Sequence, residues 1–173
     1  RRFGVDLLQA LRVRQVAHTL ARELQPAADD ESLRELGWAS DLHELGMSVS
    51  HHDHHRHSAY LISNADAPGF SQSEQRQLGT LLLGQRGGLR KIESELEDEG
   101  FAWRLLALRL AVIACHARSE TPARTFGALR AASTAVLRFP DGWAEKNPRT
   151  VYLLQEEAAA WQKAGPLQLV VPG

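Results

Sequence analysis

The chain has 173 residues, which is enough for one sizeable domain or for one domain with a small appendage. Hydrophobic residues make up 43% and charged residues 24% of it, a composition typical of a globular protein with a buried core. The formal net charge of −1 disfavours DNA binding, although the eight histidines would add positive charge locally near pH 6.

The single cysteine and the apolar segments indicate where the protein is located. Cys115 has no partner with which to form a disulfide within the chain, as is usual in a reducing cytoplasm. The opening residues lack a secretory signal, and the apolar run Leu105–Cys115 is too short to span a bilayer. We therefore expect a cytoplasmic protein, free or peripheral to the inner membrane, with no transmembrane segment.

Helical spacing of apolar residues predicts five helices within the first 120 residues. Their expected ranges are 5–24, 32–45, 57–63, 71–86 and 101–117. Asp6 is the expected N-cap of the first helix, and Ser71 with Glu74 forms a capping box at the start of the fourth. Gly46 ends the second helix. The fifth is apolar almost throughout, so we expect it at the centre of a bundle, with Cys115 as a small core residue.

The character of the sequence changes at Thr121-Pro122. A strand-like run over 134–139, a helix over 150–163 and a final strand over 167–171 follow. Two strands and a helix scarcely form a stable unit alone, so this part should pack on a neighbouring domain. The sequence thus predicts a mainly α protein, with an all-α unit over 1–120 and a small α+β unit over 121–173.

The densest group of chemically active side chains lies between residues 43 and 57. Imidazoles with carboxylates bind transition metals, whereas imidazoles with arginine bind phosphate oxygens. A solvated polar loop is the third interpretation, and the residue types alone leave all three open. The group comprises His43, Glu44, His51, His52, Asp53, His54, His55, Arg56 and His57.

Several short motifs follow one another in a specific order. They are Leu-His-Glu-Leu-Gly at 42–46, His-Ser-Ala-Tyr-Leu-Ile at 57–62, Asn-x-Asp-x-Pro-Gly-Phe at 64–70, Leu-Arg-Leu-Ala-Val at 108–112 and Leu-Arg-Phe-Pro-Asp-Gly-Trp at 137–143. In this order and spacing, over about residues 6–171, the chain resembles the third and fourth domains of the Ppx/GppA phosphatases, which are exopolyphosphatases and guanosine pentaphosphate phosphohydrolases. The resemblance implies an HD-domain-like helical bundle followed by a small α+β C-terminal domain.

The same resemblance implies that the catalytic machinery lies elsewhere. In the family, an N-terminal pair of actin-like ATPase-fold domains holds the catalytic acid and the Mg²⁺ site, and this chain resembles neither domain. Active HD domains use an ordered set of metal ligands, whose positions fall here at Gln9, His43-Glu44, Gln85 and Val112. Only His43-Glu44 keeps ligand chemistry, so we expect no metal, no cofactor and no catalytic residue in this chain.

The function implied by the resemblance is that of a C-terminal regulatory and substrate-binding part, itself non-catalytic. The whole enzyme would release terminal phosphate from inorganic polyphosphate or guanosine pentaphosphate. Expected partners are one of these polyanions, the chain's own N-terminal catalytic domains, and a second copy in a homodimer. Two alternatives stay open: a stand-alone HD-type metal-dependent phosphohydrolase, and a protein-interaction or dimerisation module.

A set of imidazoles and cations is predicted to bind phosphate oxygens. The set is His43, His51, His54, His55, Arg56, His57, Arg86, Arg90 and Lys91. The planar fork of Arg56 suits phosphate, and the basic edge at residues 86–91 would extend the track. Glu44 would repel an anion, so we expect it to orient a neighbouring histidine. Because histidines gain protons as the pH falls, anion affinity is expected to rise from pH 8 to pH 6.

Overall fold

The computed structural model of the protein describes residues 6–118 and 125–173. These residues form seven α-helices and three strands, and the mainly α fold with a small α+β part is confirmed. The helices are α1 Leu7–Leu24, α2 Asp30–Leu42, α3 His54–Asn64, α4 Gln72–Gly84, α5 Glu99–Ala114, α6 Trp143–Lys146 and α7 Pro148–Ala164. The strands are β1 Gly127–Ala131, β2 Thr134–Arg138 and β3 Gln168–Val170, and short 3-10 helices cover Leu45–Ser48, Arg90–Ile92 and Glu95–Glu97.

Side-chain caps begin the helices where the sequence predicts them. The carboxylate of Asp6 accepts a hydrogen bond from the backbone N–H of Gln9 at 3.0 Å. At α4, the hydroxyl of Ser71 accepts from the N–H of Glu74, whose carboxylate accepts from the N–H of Ser71. Each cap satisfies backbone donors that a helix leaves unpaired in its first turn.

Helix α5 is the centre of the bundle, as its apolar sequence predicts. Leu105, Leu106, Leu108 and Leu110 are completely buried, and helices α1, α2 and α7 pack around α5. Such burial contributes roughly 1.5–3 kcal/mol for each large apolar side chain. None of the helices in the described part of the chain combines the length and apolar character that crossing a bilayer requires.

The sheet contains a strand, β1, that the sequence pattern does not predict. Its residues, Gly127–Ala131, are poor in the β-branched and aromatic types that favour strands. Strand order is β1-β2-β3, with β1 antiparallel and β3 parallel to β2. The carboxylate of Glu23 on α1 accepts the N–H of Ala128 at 3.1 Å and lies 3.6 Å from the guanidinium of Arg138. These contacts hold the sheet against the helical bundle and cover part of the β1 edge.

One hydrophobic core runs through both parts of the chain. It includes Leu108 and Trp103 of α5, Phe126 before the sheet, Leu137 of β2 and Trp161 of α7. The α+β part therefore packs on the bundle, as its small size requires. The change of character at Thr121-Pro122 lies outside the described residues, and the division into domains over 1–120 and 121–173 stays a prediction.

The fold makes a prediction about the buried centre of α5. Replacing Leu108 with Ala should lower the free energy of unfolding by about 2–5 kcal/mol, because the side chain is 0% exposed and its removal leaves a cavity. Urea denaturation measures this change. Leu7→Ala is the control: that side chain is 65% exposed, so we expect a change within about 0.5 kcal/mol. Equal losses in the two variants would contradict the central position of α5.

Candidate functional site

A close contact between two chain segments places the histidine motif against α3. A side chain on Gly46 would overlap the backbone carbonyl of His54, so only glycine fits at this position. The N–H of Gly46 donates to the hydroxyl of Ser58 at 2.7 Å. This bond explains why the Leu-His-Glu-Leu-Gly motif and the serine of the His-Ser-Ala-Tyr motif occur together.

His43 belongs to a buried polar network. Its Nδ1 lies 2.6 Å from the carbonyl oxygen of Ser40, which can only accept, so Nδ1 carries the proton. Its backbone carbonyl accepts a hydrogen bond from the amide of Gln85 at 2.7 Å. Burial is the largest cause that lowers the pKa of His43. The ring is therefore fixed in orientation and uncharged near neutral pH.

Glu44 contacts an arginine more closely than it contacts a histidine. Its carboxylate lies 3.8 Å from Nε2 of His43, beyond hydrogen-bonding distance, and pairs with the guanidinium of Arg118. Arg118 also binds the carboxylate of Asp6 at 3.0 Å, which links the start of α1 to this loop. The orienting contact expected from Glu44 is thus made by the Ser40 carbonyl, and Glu44 joins two segments of the chain.

His54 and His55 begin α3 and are both only 5% exposed. Within the described residues, the Nδ1 atoms of both rings lack a hydrogen-bond partner. Burial and then the charge of Arg86 lower the pKa of His54, while burial followed by Lys91 and Arg86 lowers the pKa of His55 to about 4. His55 therefore does not contribute the rise in positive charge expected between pH 8 and pH 6, and burial reduces the contribution of His43 and His54.

A large open cleft lies beside this buried network. Its volume is about 1000 Å³, and its lining comes from α3, the end of α4, the loop after it, α5 and α7. Gly87 turns that loop with a φ of +80°, a conformation that glycine adopts without strain. The cations that line the cleft are Arg56, Arg86, Arg90, Lys91, Arg109 and Lys163, and the carboxylates are Glu156 and Glu157.

The cleft has an excess of positive charge. Within residues 6–118 and 125–173, Arg109 is the only one of the six cations that forms an ion pair. Burial, together with the charges of Arg109, Arg56 and Arg86, lowers the pKa of Lys91 to about 8, and Asp53 opposes this shift. Cations crowded against one another favour an anion between them, because the anion would relieve their mutual repulsion.

A buried ion pair holds the walls of the cleft together. Arg109 of α5 donates two hydrogen bonds to the carboxylate of Glu157 on α7, at 2.6 and 2.8 Å. The same guanidinium donates to the carbonyl of Gly84 on α4 at 2.7 Å, and the indole of Trp161 donates to Glu157 at 2.7 Å. Every guanidinium nitrogen and both carboxylate oxygens have at least one partner, which offsets the cost of burying the pair.

Most of the positions that resemble HD-domain metal ligands carry residues other than His, Asp or Glu. The described part of the chain contains no group of three or more His, Cys, Asp or Glu side chains that could hold an ion. At the positions that resemble HD-domain ligands, Gln9 donates to the carbonyl of Cys115 and Gln85 donates to that of His43. Val112 lines the cleft. The amide N–H groups at these two positions bind the backbone, and a valine side chain supplies no ligand atom.

Cys115 does not have the properties of a nucleophile. Burial raises the pKa of its thiol to about 11, so the thiolate is scarcely populated near neutral pH. The side chain packs against the hydrophobic core, in agreement with its interpretation as a core residue.

The structure separates the predicted phosphate ligands into two groups. Four of them share the cleft: Arg56, Arg86, Arg90 and Lys91. His43, His54 and His55 lie buried, His51 is exposed, and His57 is half-buried, and none of these five lines the cleft. Phosphate binding by the set stays a prediction.

The charged residues that α5 and α7 contribute to the cleft were not predicted from the sequence. Arg109 lies in one of the motifs, and a single charged residue in an apolar helix is itself a signal of a buried partner. Lys163 and Glu156 carry no such signal, because solvated charges are ordinary on the exposed face of a helix.

Comparison with known proteins agrees with the family resemblance of the sequence motifs. The family model described as Ppx/GppA phosphatase, domain III, matches residues 1–158. Relatives named guanosine-5'-triphosphate,3'-diphosphate pyrophosphatase include those of Pseudoalteromonas translucida and Aeromonas hydrophila, which are 31% and 32% identical over 170 and 173 residues. Each match covers 95% of this chain and 34% of the relative. A relative of the same name from Photobacterium profundum is 35% identical over 131 residues, or 74% of this chain and 26% of its own length. The chain thus spans about a third of the length of the curated relatives it matches.

The ion pair in the cleft wall can be tested by removing one partner. Arg109→Met leaves Glu157 buried without a cation, so the free energy of unfolding should fall by about 3–5 kcal/mol. Arg14→Met is the matched control, because Arg14 and Asp41 form a partly exposed pair worth about 0–1 kcal/mol. A loss below about 1 kcal/mol for Arg109→Met would show that the pair does not hold the walls.

The lowered pKa of His55 leads to a second prediction, which concerns the stability of the fold at acid pH. The unfolded state binds a proton near the ordinary histidine pKa of about 6.5, whereas the folded state binds it only near 4. This difference costs nothing above about pH 6.5 and destabilises the fold progressively as the pH falls towards 4. The urea midpoint should therefore drop less between pH 7 and pH 5 in His55→Gln than in the parent. His52→Gln, at a side chain 91% exposed, should keep the parent's drop, and an unchanged drop in His55→Gln would contradict the assignment.

Proposed function

The chain belongs to the Ppx/GppA phosphatase family, as its domain III, and from this premise we propose that its basic cleft binds the phosphate groups of the enzyme's polyanionic substrate. The intact protein would be a phosphatase that acts on guanosine pentaphosphate or on inorganic polyphosphate. The names of the relatives support the nucleotide. Hydrolysis with Mg²⁺ would occur in domains outside this chain, which would itself be non-catalytic.

The observation that carries the proposal is the group of four cations at one side of the cleft. Arg56 comes from α3, whereas Arg86, Arg90 and Lys91 come from the loop after α4. Arg56 is distant in sequence from the other three, yet all four line one cleft, and no carboxylate pairs with them within the described residues. An exposed lysine or arginine alone would be an ordinary surface residue, but converging cations with a lowered lysine pKa are typical of an anion site.

The cleft would act by neutralising charge and by positioning the polyanion. Arginine forks bind phosphate oxygens through paired hydrogen bonds, and the ammonium of Lys91 adds a point charge. The Nζ of Lys91 donates to the carbonyl of Arg86 at 2.8 Å, which holds the ammonium beside the loop. Holding one part of a long anion would orient the rest of it towards a catalytic centre in other domains.

The interaction-module alternative is supported by a different surface. Leu7, Leu8 and Leu11 on α1 are 50–68% exposed, and large apolar side chains grouped on one helix are typical of a docking face. The family's other domains or a second copy of the chain are the partners proposed for it. We also propose a regulatory role, a homodimer and a cytoplasmic location for the protein.

Phosphate binding at the cleft predicts a pH dependence that depends on Lys91. Because the pKa of Lys91 is about 8, the affinity for tripolyphosphate should fall from pH 7 to pH 9 as the ammonium loses its charge. Lys91→Arg keeps the charge, so its affinity should change only by the titration of the probe itself. Lys91→Gln should bind weakly at both pH values. Isothermal titration calorimetry at matched ionic strength measures each affinity.

A second substitution distinguishes binding in the cleft from a general effect of the protein's net charge. Arg56→Ala should weaken tripolyphosphate binding about tenfold, the usual loss for one charge-assisted hydrogen bond. Arg34→Ala removes the same charge from an exposed position outside the cleft and should bind like the parent. Equal effects of the two variants, or parent-like pH dependence in Lys91→Arg, would contradict a phosphate site in the cleft.

A further inference from the structure

Lysine is rare in this chain, and the cleft contains most of it. The lysines are Lys91, Lys146 and Lys163, and all the other residues among the 20 that are lysine or arginine are arginines. Lys91 and Lys163 line the cleft, whereas Lys146 lies exposed on α6 outside it. An arginine keeps its charge in proteins, but a lysine can lose its proton and become a nucleophile. The cleft thus contains side chains whose chemistry can change among others whose charge is fixed.

The side chain of Lys91 is held in one place within the cleft. Its Nζ donates a hydrogen bond to the backbone carbonyl of Arg86 at 2.8 Å. Gly87 lies beside it, and a Cβ atom at that position would come within 3.1 Å of Nζ, so the glycine leaves space next to the amine. A neutral amine still has an N–H to donate to the carbonyl of Arg86, and its lone pair is then free to attack an electrophile.

The surroundings of Lys91 favour its neutral form. Burial is the largest cause that lowers its pKa, to about 8, and the charges of nearby arginines lower it further, while Asp53 opposes the shift. About half of Lys91 is therefore neutral at pH 8, against roughly 0.4% of a lysine with the ordinary pKa of about 10.4. The charged and titratable groups that face it from α3, the loop after α4, α5 and α7 are Asp53, His55, Arg56, Arg86, Arg109 and Glu157.

The cations around Lys91 favour an acyl donor that carries negative charge. In an acyl phosphate, a single oxygen joins the phosphorus to the acyl carbon. Phosphate oxygens bound by Arg56 and Arg86 would therefore bring the acyl carbon within reach of the amine of Lys91. An uncharged acyl donor would not be attracted in this way.

We propose that Lys91 is a site of acylation by small acyl phosphates, which bind through their phosphate oxygens to the arginines of the cleft and transfer the acyl group to Nζ. The amine nitrogen attacks the carbonyl carbon and forms an amide bond. The bond between that carbon and the bridging oxygen breaks, its electron pair leaves with inorganic phosphate, and the nitrogen releases a proton to solvent. This inference rests on the proposed function, since the same cations bind phosphate oxygens. It adds a modification that removes one charge from the cleft and so lowers its affinity for polyanions.

Two acyl donors test the inference on the 173-residue chain: acetyl phosphate, and the uncharged N-hydroxysuccinimide ester of acetic acid. Peptide mass spectrometry after brief reactions at pH 8 and matched ionic strength gives the acetylation rate of each lysine. With the ester, Lys91 should react severalfold faster than Lys146, because its larger neutral fraction outweighs the lower nucleophilicity of a less basic amine. With acetyl phosphate, the preference for Lys91 should be about tenfold greater again, the usual effect of one charge-assisted hydrogen bond.

Arg56→Ala separates binding of the donor from reactivity of the amine. Because Arg56 also lowers the pKa of Lys91, its removal changes the rates with both donors, and the ratio between the two donors is the quantity to compare. That ratio should fall towards one in Arg56→Ala. Arg34→Ala removes the same charge from an exposed position outside the cleft and should keep the parent's ratio. Thermal unfolding of both variants verifies that the fold is retained.

The outcomes separate this inference from the proposed function. Equal rates at Lys91 and Lys146 with acetyl phosphate would overturn the inference, and so would an equal preference for Lys91 with both donors, because the cleft would then not bind the phosphate of the donor. If tripolyphosphate binds and Lys91 shows no preference, this inference fails alone. If acetyl phosphate modifies Lys91 preferentially although tripolyphosphate does not bind, the proposed function fails and this inference stands.

Discussion

The bidentate ion pair between Arg109 and Glu157 joins the parts of the structure on which the cleft depends. It connects the central helix α5 to α7 and, through the carbonyl of Gly84, to the end of α4. The loop that carries Arg86, Arg90 and Lys91 leaves directly from that end of α4. A buried guanidinium needs all of its partners, so their positions are tightly coupled. The positions of the elements that line the cleft therefore depend on a contact inside the core.

The other cations of the cleft differ from Arg109, because they form no ion pair in the described part of the chain. Burial, together with the charges of Arg109, Arg56 and Arg86, lowers the pKa of Lys91. Folding alone gives no reason for such an arrangement, because like charges near one another destabilise a protein. An anionic ligand would remove the cost, and for this reason the cleft is a better candidate site than the more conspicuous histidine cluster.

The polar residues around the histidine cluster join several segments of the chain. Gly46 and Ser58 bring the two histidine motifs together, and hydrogen bonds from Gln9 and Gln85 reach backbone carbonyls at positions that resemble metal-ligand positions of HD domains. The ion pair of Glu44 with Arg118 completes the network. The region keeps the density of polar groups expected of a site, but the groups serve to join α1, α3 and α4 to the loop before α3.

Interactions between residues close in sequence determine the helices and their starting points, and these features can be predicted directly from the sequence. Helix periodicity, the Asp6 cap and the capping box at Ser71 act within four residues, so the helices and the mainly α fold could be predicted with errors of a few residues at their ends. The order of the motifs pointed to the family for the same reason, since it needs no knowledge of contacts.

Tertiary structure decided the features that depend on residues distant in sequence. The partner of Arg109 lies 48 residues away, and β1 forms only because β2 and Glu23 pair with its weak strand sequence. The burial that lowers the pKa of His55 and separates it from Arg56, the next residue, depends on which side of α3 faces the core. The cleft, too, exists only where α3, α5 and α7 meet. Such contacts follow from packing, and packing depends on the whole chain at once, whereas a sequence pattern reports only on neighbours.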